Sequence, residues 1–206
     1  MPTRSAQLID LEETDGRRAR GARTRLRVLE ALLAMADEGD VHATAQQVAA
    51  RAGVALRTVY HHFEDVEQLR RAALELQLER TSALLRAVEP TDDLAARISI
   101  VAHQLRRWFE AVAPVRRAAL LDEHSSPATA LDLHRYRLLR RSHLADAFAS
   151  EIEQDRANGR ILLDALDAVT TWESWEYLRS ALGRSAGTSE KTLVRVLQGL
   201  LSKPSS

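Results

Sequence analysis

The sequence contains no cysteine, and aromatic residues make up only 4% of its 206 positions. Without thiols the chain can form no disulfide, no cysteine nucleophile and no thiolate metal site, which fits a reducing compartment. No segment approaches the roughly 20 apolar residues that span a bilayer, and the N-terminus lacks a basic start followed by an apolar run. We therefore expect a soluble, cytoplasmic protein that is not exported and has no membrane partner.

Charges of the two signs balance, with 29 Lys and Arg against 29 Asp and Glu. A neutral chain is poorly suited to coating nucleic acid by bulk electrostatics. The charges are nevertheless unevenly distributed, because a dense basic block follows the acidic residues 10–15: Arg17, Arg18, Arg20, Arg23, Arg25 and Arg27. This block is either a solvated, disordered arm or a set of contacts to phosphates or the minor groove.

Apolar residues recur at three- and four-residue steps along most of the chain, as in amphipathic helices. No stretch shows the sustained alternation that is typical of a strand. The sequence therefore predicts an all-α protein in which residues 1 to about 20 are disordered without DNA. Expected helices include about 66–88, a fifth that starts near Leu94 and ends at Pro114, and long helices at about 129–157, 161–182 and 189–201.

Residues 44–63 have the pattern of two short helices joined by a glycine turn. Ala49 is small and allows the two helix backbones to approach, and Gly53 is the residue most easily placed in a left-handed conformation. Val59 then supplies an apolar contact of the second helix. This spacing is typical of a helix-turn-helix, whose second helix lies in the major groove of DNA.

The pattern VAxRAGVxxxTVYxHFxDxexL spans Val48 to Leu69. With this motif the chain resembles the TetR family of bacterial transcriptional regulators. The resemblance implies an arm at residues 1–20, a three-helix, helix-turn-helix DNA-binding domain at 21–68 and a larger helical effector-binding and dimerisation domain at 69–206. It further implies a homodimer on a near-palindromic operator in double-stranded DNA. Such a regulator is most often a repressor that a small, mostly apolar effector releases.

The candidates for DNA contacts lie at the start of the first short helix and along the second. Arg57 can pair with a guanine edge, while the resemblance assigns phosphate contacts to Thr58 and Tyr60, which fix register rather than sequence. Gln46 is either a base or phosphate reader or an ordinary solvent-facing residue. The predicted DNA-binding residues are Thr44, Gln46, Arg57, Thr58, Tyr60 and His61, with Arg17, Arg18, Arg20 and Arg23 in the arm.

Three residues depart from the family pattern. Ala55 replaces the usual serine or threonine cap of the second short helix, which forfeits about 1 kcal/mol of capping. Val66 replaces a common lysine, so one phosphate contact is absent there and the arginine arm can compensate. Leu56 stands where the family often has a polar reader, and it either touches a thymine methyl or packs.

In the second domain, we expect His103 and Trp108 to face Tyr136 and Trp172 around a small, mostly apolar effector. The alternative is that these aromatic residues are simply core. The histidines lack the tight spacing of a metal site, and no nucleophile elbow, phosphate loop or paired carboxylate is present. We therefore predict no catalytic residue, metal or cofactor.

Other functions stay open at this point. The chain can be an activator, a DNA-binding regulator without an effector, or an enzyme built on helices, although no catalytic constellation supports the last. The two final long helices carry more apolar side chains than one packed face requires. We therefore predict that they form a four-helix dimer interface, in which Leu197 and Leu201 are exposed on the single chain. The alternative is that both helices are covered within the single chain, with the final helix docked in a groove.

Overall fold

A computed structural model describes residues 4–89, 93–121, 123–124, 126–155 and 157–202, and it contains no strand in these ranges. The all-α prediction is confirmed. The α-helices are α1 (Arg4–Asp37), α2 (Ala45–Ala52), α3 (Leu56–His62), α4 (Val66–Thr81), α5 (Leu94–Leu120), α6 (Pro127–Ala147), α7 (Ala149–Gln154), α8 (Gly159–Val169), α9 (Trp172–Glu176) and α10 (Ala186–Leu201). A 3-10 turn at Ser82–Leu84 follows α4, and a π-helical turn at Tyr177–Ala181 follows α9.

The chain divides into two compact units. The N-terminal unit comprises the residues up to Leu76 together with Pro114–His124, and the C-terminal unit comprises Gln77–Ala113 and the residues from Ser125 onward. The division therefore falls inside α4 and α5. The domain boundary after residue 68, which comes from the family resemblance, stays a prediction because compactness alone does not define where DNA binding ends.

The N-terminal segment differs from the expected disordered arm, because α1 is helical from Arg4. Alanine, leucine, glutamate and arginine, all good helix formers, dominate this stretch, and no proline interrupts it. From Val28 onward one face of α1 is buried, which anchors its C-terminal half in the unit: Val28, Leu29, Leu32, Met35 and Ala36.

Two expected helices are each broken in the structure. The helix predicted at 129–157 stops at Ala147, because Phe148 takes a non-helical conformation and buries its ring completely before α7 begins. The helix predicted at 161–182 stops at Val169, and the Thr171 side chain then accepts a hydrogen bond from the Ser174 N–H at 3.1 Å to cap α9. Local side-chain bonding and burial at these two points outweigh the continuous apolar periodicity of the sequence.

Two other predicted helix ends are wrong. α4 stops at Thr81 instead of continuing to about residue 88, and the Thr81 hydroxyl donates to the Gln77 carbonyl at 2.6 Å. α5 does not end at Pro114 but runs through it to Leu120. Buried residues on both sides of the proline, Val112 and Val115, give the continued helix packing that offsets the missing backbone hydrogen bond.

The final helix also corrects the sequence analysis. Leu197 is fully buried and Leu201 is only 6% exposed within the single chain, so neither is an exposed interface position. A glutamate at either site would disrupt the fold of the C-terminal unit whether or not the protein dimerises. The four-helix dimer interface itself stays a prediction.

We predict that Gly53→Ala lowers the free energy of unfolding by about 1–2 kcal/mol, since a left-handed backbone disfavours any Cβ. Gly53 has φ 63°, and an added Cβ would meet no atom within 4 Å, so steric crowding adds nothing. The measurement is urea unfolding followed by circular dichroism.

Gly199→Ala is the matched control. Gly199 lies inside α10, and its Cβ would also meet nothing within 4 Å, so this change should stabilise by roughly 0.5–1 kcal/mol. Destabilisation by both alanines, or by neither, would contradict the assigned role of the Gly53 backbone.

Candidate nucleic-acid interface

The start of α2 is fixed by a reciprocal pair of hydrogen bonds. The Gln47 N–H donates to the Thr44 hydroxyl at 3.3 Å, and the Thr44 N–H donates to the Gln47 side-chain oxygen at 2.9 Å. Each bond satisfies a backbone donor that the helix leaves free. The hydroxyl of Thr44 is therefore engaged in holding the helix, while Gln46 is exposed beside it.

The end of α2 turns the chain toward α3. Gly53 adopts the left-handed conformation, and the Val54 N–H donates to the Ala49 carbonyl at 3.0 Å. Ala49 itself is 3% exposed, so its small side chain lies in the packed core of the unit. α3 then begins after Ala55, whose side chain provides no cap, as the sequence predicted.

α3 has one buried face and one open face. Val59 and the adjoining Phe63 are 1% and 2% exposed and hold the helix against the rest of the N-terminal unit. The side chains one turn apart on the other face are exposed: Leu56, Arg57, Tyr60 and His61. Thr58 is half-buried and lies at the edge of that face. The predicted contact residues on this helix are thus brought together, with Thr58 the least accessible.

An open groove of about 480 Å³ connects α2, α3 and the start of α4. It is lined by His42, Ala43, Thr44, Ala45, Gln46, Leu56, Tyr60, Val66 and Arg70. Three predicted contact residues therefore share one surface, whereas Arg57 and His61 are outside this lining. The sequence analysis did not include Arg70 among the DNA-contact candidates. Arg70 lies one helical turn after Val66, which stands where the resemblance leads us to expect a lysine. The sequence therefore does indicate a cation near that position.

The basic block of α1 divides into structural and exposed residues. The Arg25 guanidinium lies 5.1 Å from the centre of the Phe63 ring, a cation–π contact that ties α1 to the end of α3. Arg18, Arg20 and Arg23 are exposed, and the side chain of Arg17 lies outside the described part of the chain. Exposed guanidinium groups are available for phosphate contacts, whereas Arg25 already contributes to the fold.

His62 occupies the contact between α3 and α1. A Cβ on Gly21 of α1 would lie 4.0 Å from the His62 ring, an ordinary van der Waals distance, so the imidazole lies directly beside α1. Burial lowers the pKa of His62, and the positive charges of His61 and Arg25 lower it further. The neutral imidazole is therefore the form that fits this contact.

The predicted effector residues are only partly brought together. Trp108 stacks on Tyr136 with ring centroids 5.7 Å apart, and Phe109 links Trp108 to Trp172 at 5.6 and 6.2 Å. Trp108, Tyr136 and Trp172 are at most 3% exposed, so they form a packed aromatic cluster. His103 does not join it: its side chain is 55% exposed and lies 3.4 Å from the Glu190 carboxylate. Sequence reasoning left Phe109, the ring at the centre of this cluster, out of the site.

In the described ranges, no group of three or more His, Asp and Glu side chains is placed to hold a metal ion. Within the same ranges, no helix has the length and apolar character to cross a membrane.

The comparisons with known proteins agree with this geometry. Residues 28–73 match the family model "Bacterial regulatory proteins, tetR family", which covers the C-terminal end of α1 from Val28, all of α2 and α3, and the first half of α4. No curated protein is detectably similar to the chain in sequence. Many similar solved structures are TetR-family transcriptional regulators. Residues 28–73 therefore form a regulatory domain of the TetR family.

Solved structures extend the likeness to the fold of most of the chain. A TetR-family transcriptional regulator from Rhodococcus sp. has a TM-score of 0.66 at 20% identity, covering 87% of this chain and all of that one. A second, from Mesorhizobium loti, also has 0.66, at 16% identity over 88% and 96% of the two chains. The multidrug binding protein EbrR, solved with imidazole, has 0.59 at 21% identity over 88% and 97%. At these identities, the likeness of the chain to these structures beyond the TetR-family domain at residues 28–73 is one of fold.

We predict that acidification destabilises the TetR-family domain through His62. Because its pKa is lowered in the folded state, the unfolded chain binds the proton more readily, and stability falls as pH drops below roughly 6.5. His62→Gln should therefore lose less stability than the parent between about pH 7.5 and about pH 5.5 in urea unfolding.

The control is His134→Gln, which changes an exposed histidine in the C-terminal unit. His143 in that unit is buried and contributes in the same direction, because burial lowers its pKa as well. His143 is present in both the His62→Gln variant and the parent, so its contribution is the same in each. The test therefore compares the loss of stability on acidification in the variant with the loss in the parent. An equal loss in His62→Gln and the parent would remove His62 from this role.

Proposed function

We propose that this TetR-family regulator is a homodimeric repressor that reads a near-palindromic operator through α3 and is released by a small effector bound in its C-terminal unit. The observation that carries the proposal is the open face of α3. A capped α2 and a left-handed glycine position this face, and its exposed side chains include both a hydrogen-bonding cation and an apolar contact. These are the side-chain types that read base edges in the major groove.

The groove beside α3 separates the proposed phosphate contacts from the proposed base contact. Arg57 lies on the open face of α3 outside the groove, a position suited to a guanine edge. Tyr60, Gln46 and Arg70 line the groove, where polar and cationic groups can bind the phosphates of one strand. The Thr44 hydroxyl is engaged with Gln47, so the contact at this position would come from the free backbone donors at the start of α2.

The exposed arginines of α1 add a second phosphate contact. Arg18, Arg20 and Arg23 are exposed, whereas the chain as a whole is neutral. Local positive charge of this kind binds DNA through counterion release, and it holds the domain on the duplex without selecting a sequence. Selection then rests on the side chains of α3.

Dimerisation through α8 and α10 is supported by apolar side chains that the single chain does not cover. Ile161 at the start of α8 is 65% exposed, and Leu162, Val194 and Leu200 are only half-buried. A twofold pair would cover these side chains and present two copies of α3 to the two halves of an operator.

The similar fold of EbrR supports the proposal that a small molecule binds in the C-terminal unit. EbrR is a multidrug binding protein and has been solved with imidazole and with ethidium. The fold that it shares with this chain therefore accommodates small molecules. In the present chain, differential binding of such a molecule to the DNA-bound and free states would shift the population toward release.

We predict that Arg57→Ala weakens binding to the selected operator by about 1–3 kcal/mol and relaxes one base position, since a paired arginine–guanine contact is lost. Tyr60→Phe should instead weaken all DNA sequences to a similar extent, because a phosphate contact carries no sequence information. Fluorescence anisotropy with operator and random duplexes measures both effects.

Arg86→Ala provides the control, because Arg86 is exposed in the C-terminal unit and should leave both affinities unchanged. Equal losses of affinity for operator and random DNA in Arg57→Ala would exclude Arg57 as a base reader.

A further inference from the structure

An exposed leucine lies at the edge of the proposed DNA-contact face. Leu56 is the first residue of α3 and is 39% exposed, whereas Val59, three residues later, is 1% exposed. The sequence leaves open whether the Leu56 side chain packs or touches DNA. Its exposure shows that it is not part of the core of the N-terminal unit, so it is available for a contact outside the chain.

Leu56 also lines the groove that connects α2, α3 and the start of α4. It shares this lining with Val66, the first residue of α4, and with Tyr60, one turn further along α3. Val66 is half-buried and Tyr60 is 50% exposed. Two aliphatic side chains therefore reach the groove beside polar and cationic ones such as Gln46 and Arg70. We call Leu56 and Val66 the apolar patch.

The apolar patch is unsuited to contact with the phosphate backbone. Covering a charged phosphate oxygen with an aliphatic side chain removes water from it without supplying a hydrogen bond. The side chains that bind phosphate and sugar are polar or cationic, like the others in this groove. An aliphatic contact inside a polar DNA-binding surface therefore matches an apolar group on the DNA.

The bases offer one apolar group in the major groove. The C5-methyl group of thymine projects there, and apolar side chains contact it. The first residues of a helix that lies in the major groove reach the base edges. Leu56 is such a residue, and it directly precedes Arg57, the proposed guanine reader. A cytosine methylated at C5 carries the same group at the same ring position.

We propose that Leu56 reads the C5-methyl group of a pyrimidine in each half of the operator, while Val66 keeps the neighbouring surface apolar. The pyrimidine is a thymine or a 5-methylcytosine, since both present the methyl group in the major groove. The inference rests on the proposed reading of DNA by α3. It adds to the hydrogen-bonding contact of Arg57 a second base contact that depends on burial of apolar surface alone.

The expected effect is modest and measurable. Burial of one methyl group corresponds to about a fourfold change in affinity, equivalent to roughly 0.8 kcal/mol. Leu56 therefore adjusts the choice between methylated and unmethylated pyrimidines, whereas the paired contact of Arg57 gives the larger discrimination.

The test removes or adds methyl groups in the DNA one at a time. An operator selected by the full-length protein from a random duplex library is resynthesised with deoxyuridine in place of each thymine of one half-site in turn. A second series places 5-methyldeoxycytidine at each cytosine of that half-site. Each substitution changes only the methyl group and leaves the hydrogen-bonding edge of the base intact. Fluorescence anisotropy measures the affinity of the protein for each duplex.

In the parent protein, one substitution should change the affinity about fourfold. A loss at a thymine or a gain at a cytosine identifies which base carries the methyl group. In Leu56→Ala the duplexes with and without that methyl group should bind equally well. Leu56→Met keeps an apolar side chain of similar size and should retain the difference.

Leu26→Ala is the matched control. Leu26 is also 39% exposed and lies in the N-terminal unit, but it does not line the groove. Its replacement should leave the methyl dependence as it is in the parent. A loss of the dependence in Leu26→Ala equal to that in Leu56→Ala would show a general effect on the domain and would overturn the proposal.

The remaining outcomes separate this proposal from the proposed function. Specific operator binding without any methyl-dependent position, or with the same dependence in Leu56→Ala, would overturn the role of Leu56 and leave a DNA-reading regulator standing. A methyl-dependent position that Leu56→Ala abolishes, in a protein that no effector releases from DNA, would support the role of Leu56 and contradict the proposed release.

Discussion

The left-handed backbone at Gly53 is the constraint on which the DNA-reading surface depends. It reverses the chain directly after α2, whose start is held by the reciprocal Thr44–Gln47 hydrogen bonds. With Val59 and Phe63 buried, α3 then has only one face left to present. Exposure of Arg57 and its neighbours follows from this geometry rather than from any contact of their own. The proposed contact face is therefore positioned by Gly53, Val59 and Phe63 rather than by the side chains proposed to make the contacts.

The parts that the sequence predicted are those specified by local chemistry. Glycine at the turn, the cap at Thr44 and the missing cap at Ala55 act within a few residues, so they can be read without knowing the rest of the fold. The break at Phe148 and the burial of Leu197 depend instead on which distant helices pack against them. The same holds for His103, which has the spacing of an inward residue but lies at the surface beside Glu190. Periodicity identifies a helix face but not the partner that covers it.

The interior of the C-terminal unit shows why the sequence predicts an apolar pocket and why the predicted aromatic residues do not line one. Aromatic residues do converge there, but they pack against one another around Phe109. Buried polar side-chain atoms without a hydrogen-bond partner in the described ranges lie on α5, α6 and α10, among them Gln104 Oε1, His143 Nε2 and Ser189 Oγ.

The central claim, that a dimer of this chain reads DNA symmetrically through α3, is tested most directly by selecting binding sequences from a random duplex library with the full-length protein. The account predicts enrichment of an inverted repeat whose half-site centres lie about 10 base pairs, or a multiple of this, apart. Enrichment of a single unpaired half-site would contradict the dimer. A bound pool with no sequence preference over the starting library would contradict the reading of bases by α3.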